Sequence, residues 1–157
     1  MAKKIRNILL ITALLSAFTV LRTDAQRFVI GEKAPSVRVS EWLSPTQPSG
    51  GKAQLIEFFH SSNKQCPMRL AVLDDLAAQY PGKLEVIVVT KEPVEKIEGI
   101  LQPAESHYFV ASDDNGRTFA SFGAQFVPYS VLIDKKGRVV WFGNPSSLDE
   151  ATISGAL

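Results

Sequence analysis

The stretch that decides the fold is Gln54-Leu-Ile-Glu-Phe-Phe-His-Ser-Ser-Asn-Lys-Gln-Cys-Pro-Met68. Its first six residues make a compact, largely apolar run and the next six are polar, the pattern of a buried strand that feeds a loop. From Met68 the period changes: Met68, Ala71, Val72, Leu76 and Tyr80 recur at three- and four-residue spacing with Leu73 beside them, while Asp74, Asp75 and Gln79 fall elsewhere. That spacing predicts an amphipathic helix, stopped by Pro81-Gly82. The loop between strand and helix, residues 60 to 66, carries the one cysteine of the chain, Cys66.

Downstream, Leu84 to Thr90 is β-branched and almost wholly apolar, as expected of a central strand covered on both faces. Pro93 to Leu101 reads as a second helix with proline at its first position, and Val94, Ile97 and Leu101 on one face. Tyr108 to Ala111 is a short strand, Asp113-Asp-Asn-Gly116 a turn, and Arg117 to Phe122 a short helix ending at Gly123. Ser130 to Asp134 and Arg138 to Phe142 flank Lys135-Lys-Gly137 as an antiparallel hairpin, and a last helix begins near Ser147. Upstream, Gly31, Pro35, Pro45, Pro48 and Gly50-Gly51 break residues 27 to 53 into an irregular lead-in, with Ser36 to Ser40 a short edge strand. The fold class expected is α/β, a central mixed sheet flanked by helices on both faces. Right-handed crossovers make the two long strands parallel neighbours. The loop at the carboxyl end of the first then lies where open α/β sheets place their chemistry.

Composition narrows the function. The 157 residues are 45% hydrophobic and 21% charged, with 10 Gly and 9 Pro, ordinary for a globular chain. One cysteine excludes an internal disulfide, a four-thiolate zinc site and a two-thiol redox pair. Nothing asks for a cofactor or a metal: the acidic turn at 113 to 116 lacks the length and closing glutamate of a calcium loop. A net charge of +1 gives no support for a nucleic-acid partner. Residues 1 to 25 have the three-part layout of a signal peptide: Lys3, Lys4 and Arg6, an apolar run from Ile8 to Leu21 shorter than the roughly 20 residues a spanning helix needs, and Ala25 at the cut. No cysteine stands near the cut to take a lipid. The expected product is one domain, residues 26 to 157, with net charge −2, periplasmic or secreted and with no membrane attachment after cleavage.

Several segments, in order and spacing, resemble the thioredoxin superfamily, and within it the exported TlpA and ResA type of thiol-disulfide oxidoreductase. Phe58-Phe59 stands where that family has Phe-Trp ahead of its Cys-x-x-Cys. Val72-Leu-Asp-Asp-Leu-Ala and Tyr80-Pro-Gly-Lys-Leu resemble the following helix and strand start. Phe122-Gly123 through Val127-Pro128 resembles the segment leading to the family's cis-proline, and Ile133-Asp-Lys-Lys-Gly-Arg-Val139 its hairpin; Gly31-Glu-Lys-Ala-Pro35 is typical of the exported branch. The resemblance implies a thioredoxin-like fold over about residues 29 to 145 and partners that are protein or peptide thiols and disulfides, or a protein bound without chemistry. The departure is at the active site: the register places Asn63-Lys-Gln-Cys66 over Cys-x-x-Cys, with Asn63 in place of the attacking cysteine. A carboxamide cannot replace a thiolate in disulfide exchange, so two-thiol chemistry is expected to be lost, leaving at most single-thiol activity through Cys66.

Each candidate residue has a plain alternative. Asn63 suits a helix N-cap. Cys66 is either an inert buried thiol or, with Pro67 starting the helix and Cys66 as its cap, an exposed and reactive one, as in a peroxiredoxin-like peroxidase. Glu57 is either the buried acid that the resemblance places beside the second cysteine or a partly exposed strand residue. His60 is a base for Cys66 or an ordinary loop histidine. Val127, Pro128 and Phe59 are implied substrate contacts. In the family the residue before the cis-proline offers its backbone to an extended peptide, so the chain has a second reading, a non-catalytic peptide- or protein-binding module.

Overall fold

The computed structural model of the chain describes residues 29–157; the expected signal segment lies outside the described residues. The strands are β1 (Glu41–Trp42), β2 (Ala53–Phe59), β3 (Leu84–Thr90), β4 (Phe109–Ser112), β5 (Tyr129–Ile133) and β6 (Val139–Gly143). The helices are α1 (Gln65–Gln79), α2 (Val94–Leu101), α3 (Arg117–Ser121) and α4 (Glu150–Ala156), with a 3₁₀ turn at Pro145–Ser147. The six strands form one mixed sheet in the order β1-β4-β3-β2-β5-β6. β2, β3 and β4 run parallel, while β5 is antiparallel to both β2 and β6.

The strand alternation of two divides β2 between two cores. Ala53, Leu55 and Phe59 join Cys66, Leu73 and Ala77 of α1 on one face. Ile56 and Phe58 pack with Phe119, Phe122 and Tyr129 on the other, where the Phe58 and Phe119 rings meet edge-on at 4.8 Å. All seven residues of β3 are buried, as its almost wholly apolar run predicts, and the one charged member, Glu85, is held by Ser49, Gln54 and Lys52.

Four boundaries differ from the sequence reading. The edge strand is Glu41–Trp42, paired with Ala111 and Ser112, not Ser36 to Ser40; the alternating Val37 and Val39 pack against the sheet face instead of joining a ladder. Helix α1 starts at Gln65, ahead of the periodic apolar residues, because Pro67 sits in the first turn, where its missing N–H has no intrahelical acceptor to lose. Pro93 flanks α2 with extended ψ of 142° and is not its first helical residue. The closing helix begins at Glu150, where the Asp149 side chain accepts from the Thr152 amide at 2.7 Å.

Candidate functional site

The site lies where β2 ends and α1 begins, opposite the loop that leads into β5. Two backbone hydrogen bonds, Asn63 N–H to His60 O at 3.1 Å and Cys66 N–H to Asn63 O at 3.0 Å, turn the chain from strand to helix. Lys64 is the boundary residue of α1 and caps nothing with its side chain. The neighbouring Asn63 supplies the acceptor: its Oδ1 takes the Gln65 N–H at 3.0 Å. Its Nδ2 donates across the site to the carbonyl of Val127 at 2.5 Å. The Val127–Pro128 peptide is cis; Val127 is half-buried and Pro128 buried. One carboxamide therefore joins the loop after β2 to the loop before β5.

Cys66 lies beneath that bridge and is 1% exposed. As the second residue of α1 it turns toward Phe59 and Leu73 in the core, so the reading that made it an exposed cap is corrected: the helix begins before it, and its side chain faces the sheet. Burial pushes the thiol up, a hydrogen bond from the His60 backbone pulls the other way, and the nearby Glu57 adds to the rise; the net shift is upward.

Glu57 is 1% exposed, which removes the partly exposed alternative. It sits directly across from Ser130 in the β2–β5 register, accepts a hydrogen bond from Ser130 Oγ, and is ion-paired to Arg69 Nε of α1 at 2.9 Å. Burial raises its pKa, and the Arg69 charge and the hydrogen bonds offset that only in part. His60 meets Cys66 through its backbone, and its ring is engaged elsewhere. Its Nδ1 faces Ser62, with N–H at 3.2 Å and Oγ at 2.9 Å, and lies 3.6 Å from Glu92. Phe59 is 1% exposed within the core, so it supports the site from below and presents no contact surface, a second correction.

Two residues that the sequence reading missed hold the site together. Arg69 neutralises Glu57, and its signal was its place three residues after Cys66 on the same helix face. Glu92, 4% exposed, accepts the Ser61 N–H and Oγ–H, each at 2.6 Å, and Lys96 Nζ at 2.6 Å. It thus clamps the loop that carries Asn63. Met68 and Val72 of α1 and Phe126 of the loop before β5 are 78%, 55% and 55% exposed, and the Phe126 ring stands edge-on to Tyr129 at 5.3 Å. Among the described residues no three His, Cys, Asp or Glu gather as metal ligands, and no helix is long and apolar enough to cross a membrane.

A mixed sheet with this strand order, α1 rising from the end of β2, and a cis-proline loop facing the helix start define the thioredoxin-like fold. A DsbE-type structure from Chlorobium tepidum, named as a thiol:disulfide interchange protein, superposes with a TM-score of 0.70 at 22% identity, covering 83% of this chain and 99% of that one. The thioredoxin domain of a thiol-disulfide oxidoreductase from Bacteroides vulgatus superposes with a TM-score of 0.65 at 17% identity over 82% and 95% of the two chains. Within that class the sequence is similar to the thiol-disulfide oxidoreductases named ResA. It is 25% identical over 123 residues to that of Bacillus thuringiensis subsp. konkukian (strain 97-27), covering 75% of this chain and 71% of the relative. It is 24% identical over 141 residues to that of Bacillus cereus (strain ATCC 10987 / NRS 248), covering 85% and 82%. No protein-family model matches the chain.

Proposed function

We propose that this chain is an exported, thioredoxin-fold relative of the thiol-disulfide oxidoreductases in which two-thiol exchange is lost, and that what remains is binding of an extended polypeptide at the surface around Val127 and Pro128. The observation that carries the reading is the pairing at the helix start: a carboxamide, Asn63, faces the cis-proline loop, and the only thiol is buried beneath it.

Reduction of a substrate disulfide needs a thiolate to attack one sulfur and expel the other, and then a second thiol to displace the mixed disulfide and leave an intramolecular one. Asn63 has no electron pair suited to the first step. Cys66 alone supplies at most one thiol exchange, and both its burial and its upward-shifted pKa reduce the thiolate on which exchange or peroxide reduction depends. The exposed side chains of Phe126 and Met68 and the cis-proline loop support the binding half of the reading. Export is supported by the layout of residues 1 to 25. The test is reduction of insulin by dithiothreitol: the wild-type chain is expected to leave the uncatalysed rate unchanged, and Asn63→Cys to accelerate it. Acceleration by the wild type, or none by a folded Asn63→Cys variant, overturns the reading.

A further inference from the structure

We propose that the Asn63 carboxamide is an internal stand-in for a peptide group, closing the cis-proline loop against extended ligands until one displaces it; this rests on the binding surface proposed above and concerns its regulation. A primary amide presents the same N–H donor as a polypeptide backbone. Here that donor sits 2.5 Å from the Val127 carbonyl, the acceptor that a strand added along this loop would use. The Val127 N–H makes no hydrogen bond among the described residues, so Val127 is satisfied on its acceptor side alone. Exposed backbone left in that state is a template for pairing with another chain.

The latch is built to hold its aim. Asn63 Oδ1 is fixed by the Gln65 N–H at 3.0 Å, which orients the amide plane so that Nδ2 points at Val127. Two residues earlier, Ser61 is held by both its N–H and its hydroxyl to the buried Glu92 carboxylate. The loop therefore does not swing away on its own. A ligand must exchange one neutral hydrogen bond for another of similar strength, so the latch weakens binding without abolishing it. Its removal is expected to tighten binding by roughly fivefold, the order that one net hydrogen bond supports.

The test uses the full chain and a thiol-free probe, fluorescein-labelled insulin B chain with both cysteines carboxymethylated, read by fluorescence anisotropy. Asn63→Ala removes the donor. Asn63→Asp keeps the size and the acceptor for Gln65 N–H but sets a carboxylate oxygen against the Val127 carbonyl, and it serves if the alanine variant fails to fold. The expected result is weak binding by the wild type and roughly fivefold tighter binding by both variants. Equal affinity in all three chains overturns the latch and leaves the binding surface standing. Absence of binding in all three overturns both.

Discussion

Glu92 is the residue whose removal best tests how the site is held. Its carboxylate receives the Ser61 N–H, the Ser61 hydroxyl and Lys96 Nζ, all at 2.6 Å. Burial alone would raise its pKa, but these hydrogen bonds and the facing His60 outweigh burial, and the net shift is downward from 4.5. In Glu92→Gln one oxygen survives as an acceptor and the other becomes an N–H that meets a donor. The Lys96 pair is half-exposed and is screened, so it contributes well under 1 kcal/mol. A hydrogen bond to a charged acceptor is worth about 1.5–3 kcal/mol, and Ser61 keeps partial access to water, so the loss comes to about 2 kcal/mol at neutral pH. For a domain of this size that is a fall in Tm of about 6–8 °C. The sign with pH follows from the lowered value. The stabilisation is full above the unfolded carboxyl's 4.5 and is lost as pH falls through the lower folded value, so the gap between wild type and variant should narrow in acid. Urea and thermal unfolding followed by far-ultraviolet circular dichroism at pH 7 and pH 3.5 measure both. A variant within about 0.5 kcal/mol of wild type at pH 7, or a difference undiminished in acid, refutes the reasoning, since surface substitutions reach only that size.

Glu57 should behave in the opposite sense. Its folded pKa is raised, so its contribution is full below 4.5 and declines as pH rises through the folded value; unfolding of Glu57→Gln between pH 4 and pH 8 should show a flatter pH dependence than wild type, and an unchanged slope would refute the burial argument. Cys66, 1% exposed with a raised pKa, should react with iodoacetamide at pH 8 on the order of a hundredfold more slowly in the native chain than in urea, because reaction waits on local opening. A native rate close to the unfolded one would revive the single-thiol reading.

What was legible in the sequence was what depends on neighbours along the chain. The apolar run ending at Phe59, the three- and four-residue spacing from Met68 and the almost wholly apolar Leu84 to Thr90 are local patterns, and each became the element it predicts. What escaped depends on partners brought together by the fold. Burial of Glu57 is made tolerable by Arg69 from the next helix and by Ser130, 73 residues on. The clamp on Ser61 comes from a glutamate 31 residues away. Val37 and Val39 alternate as a strand would, yet their partner is a sheet face and not a ladder, a distinction that a period of two does not carry. Asn63 was readable as a cap because capping is local, whereas its reach to Val127 spans 64 residues.

Position 63 matters because the fold presents two different demands there. The start of α1 offers N–H groups without intrahelical acceptors and a partial positive charge, a setting that favours an anion or an acceptor. The cis-proline loop opposite offers a carbonyl, which needs a donor. A thiolate meets the first demand and leaves the second open for an incoming chain. A carboxamide, with one acceptor and two donors, meets both at once, and the hydrogen bonds to Gln65 and Val127 are those two halves. The helix-end field that would sharpen a nucleophile is instead spent on orienting a neutral amide, while Cys66 points into the core, where burial works against its ionisation. On our proposal the reactivity of this site is decided by whether the group at position 63 spans the gap between the two loops or leaves it open, and the buried thiol below has little part in that choice.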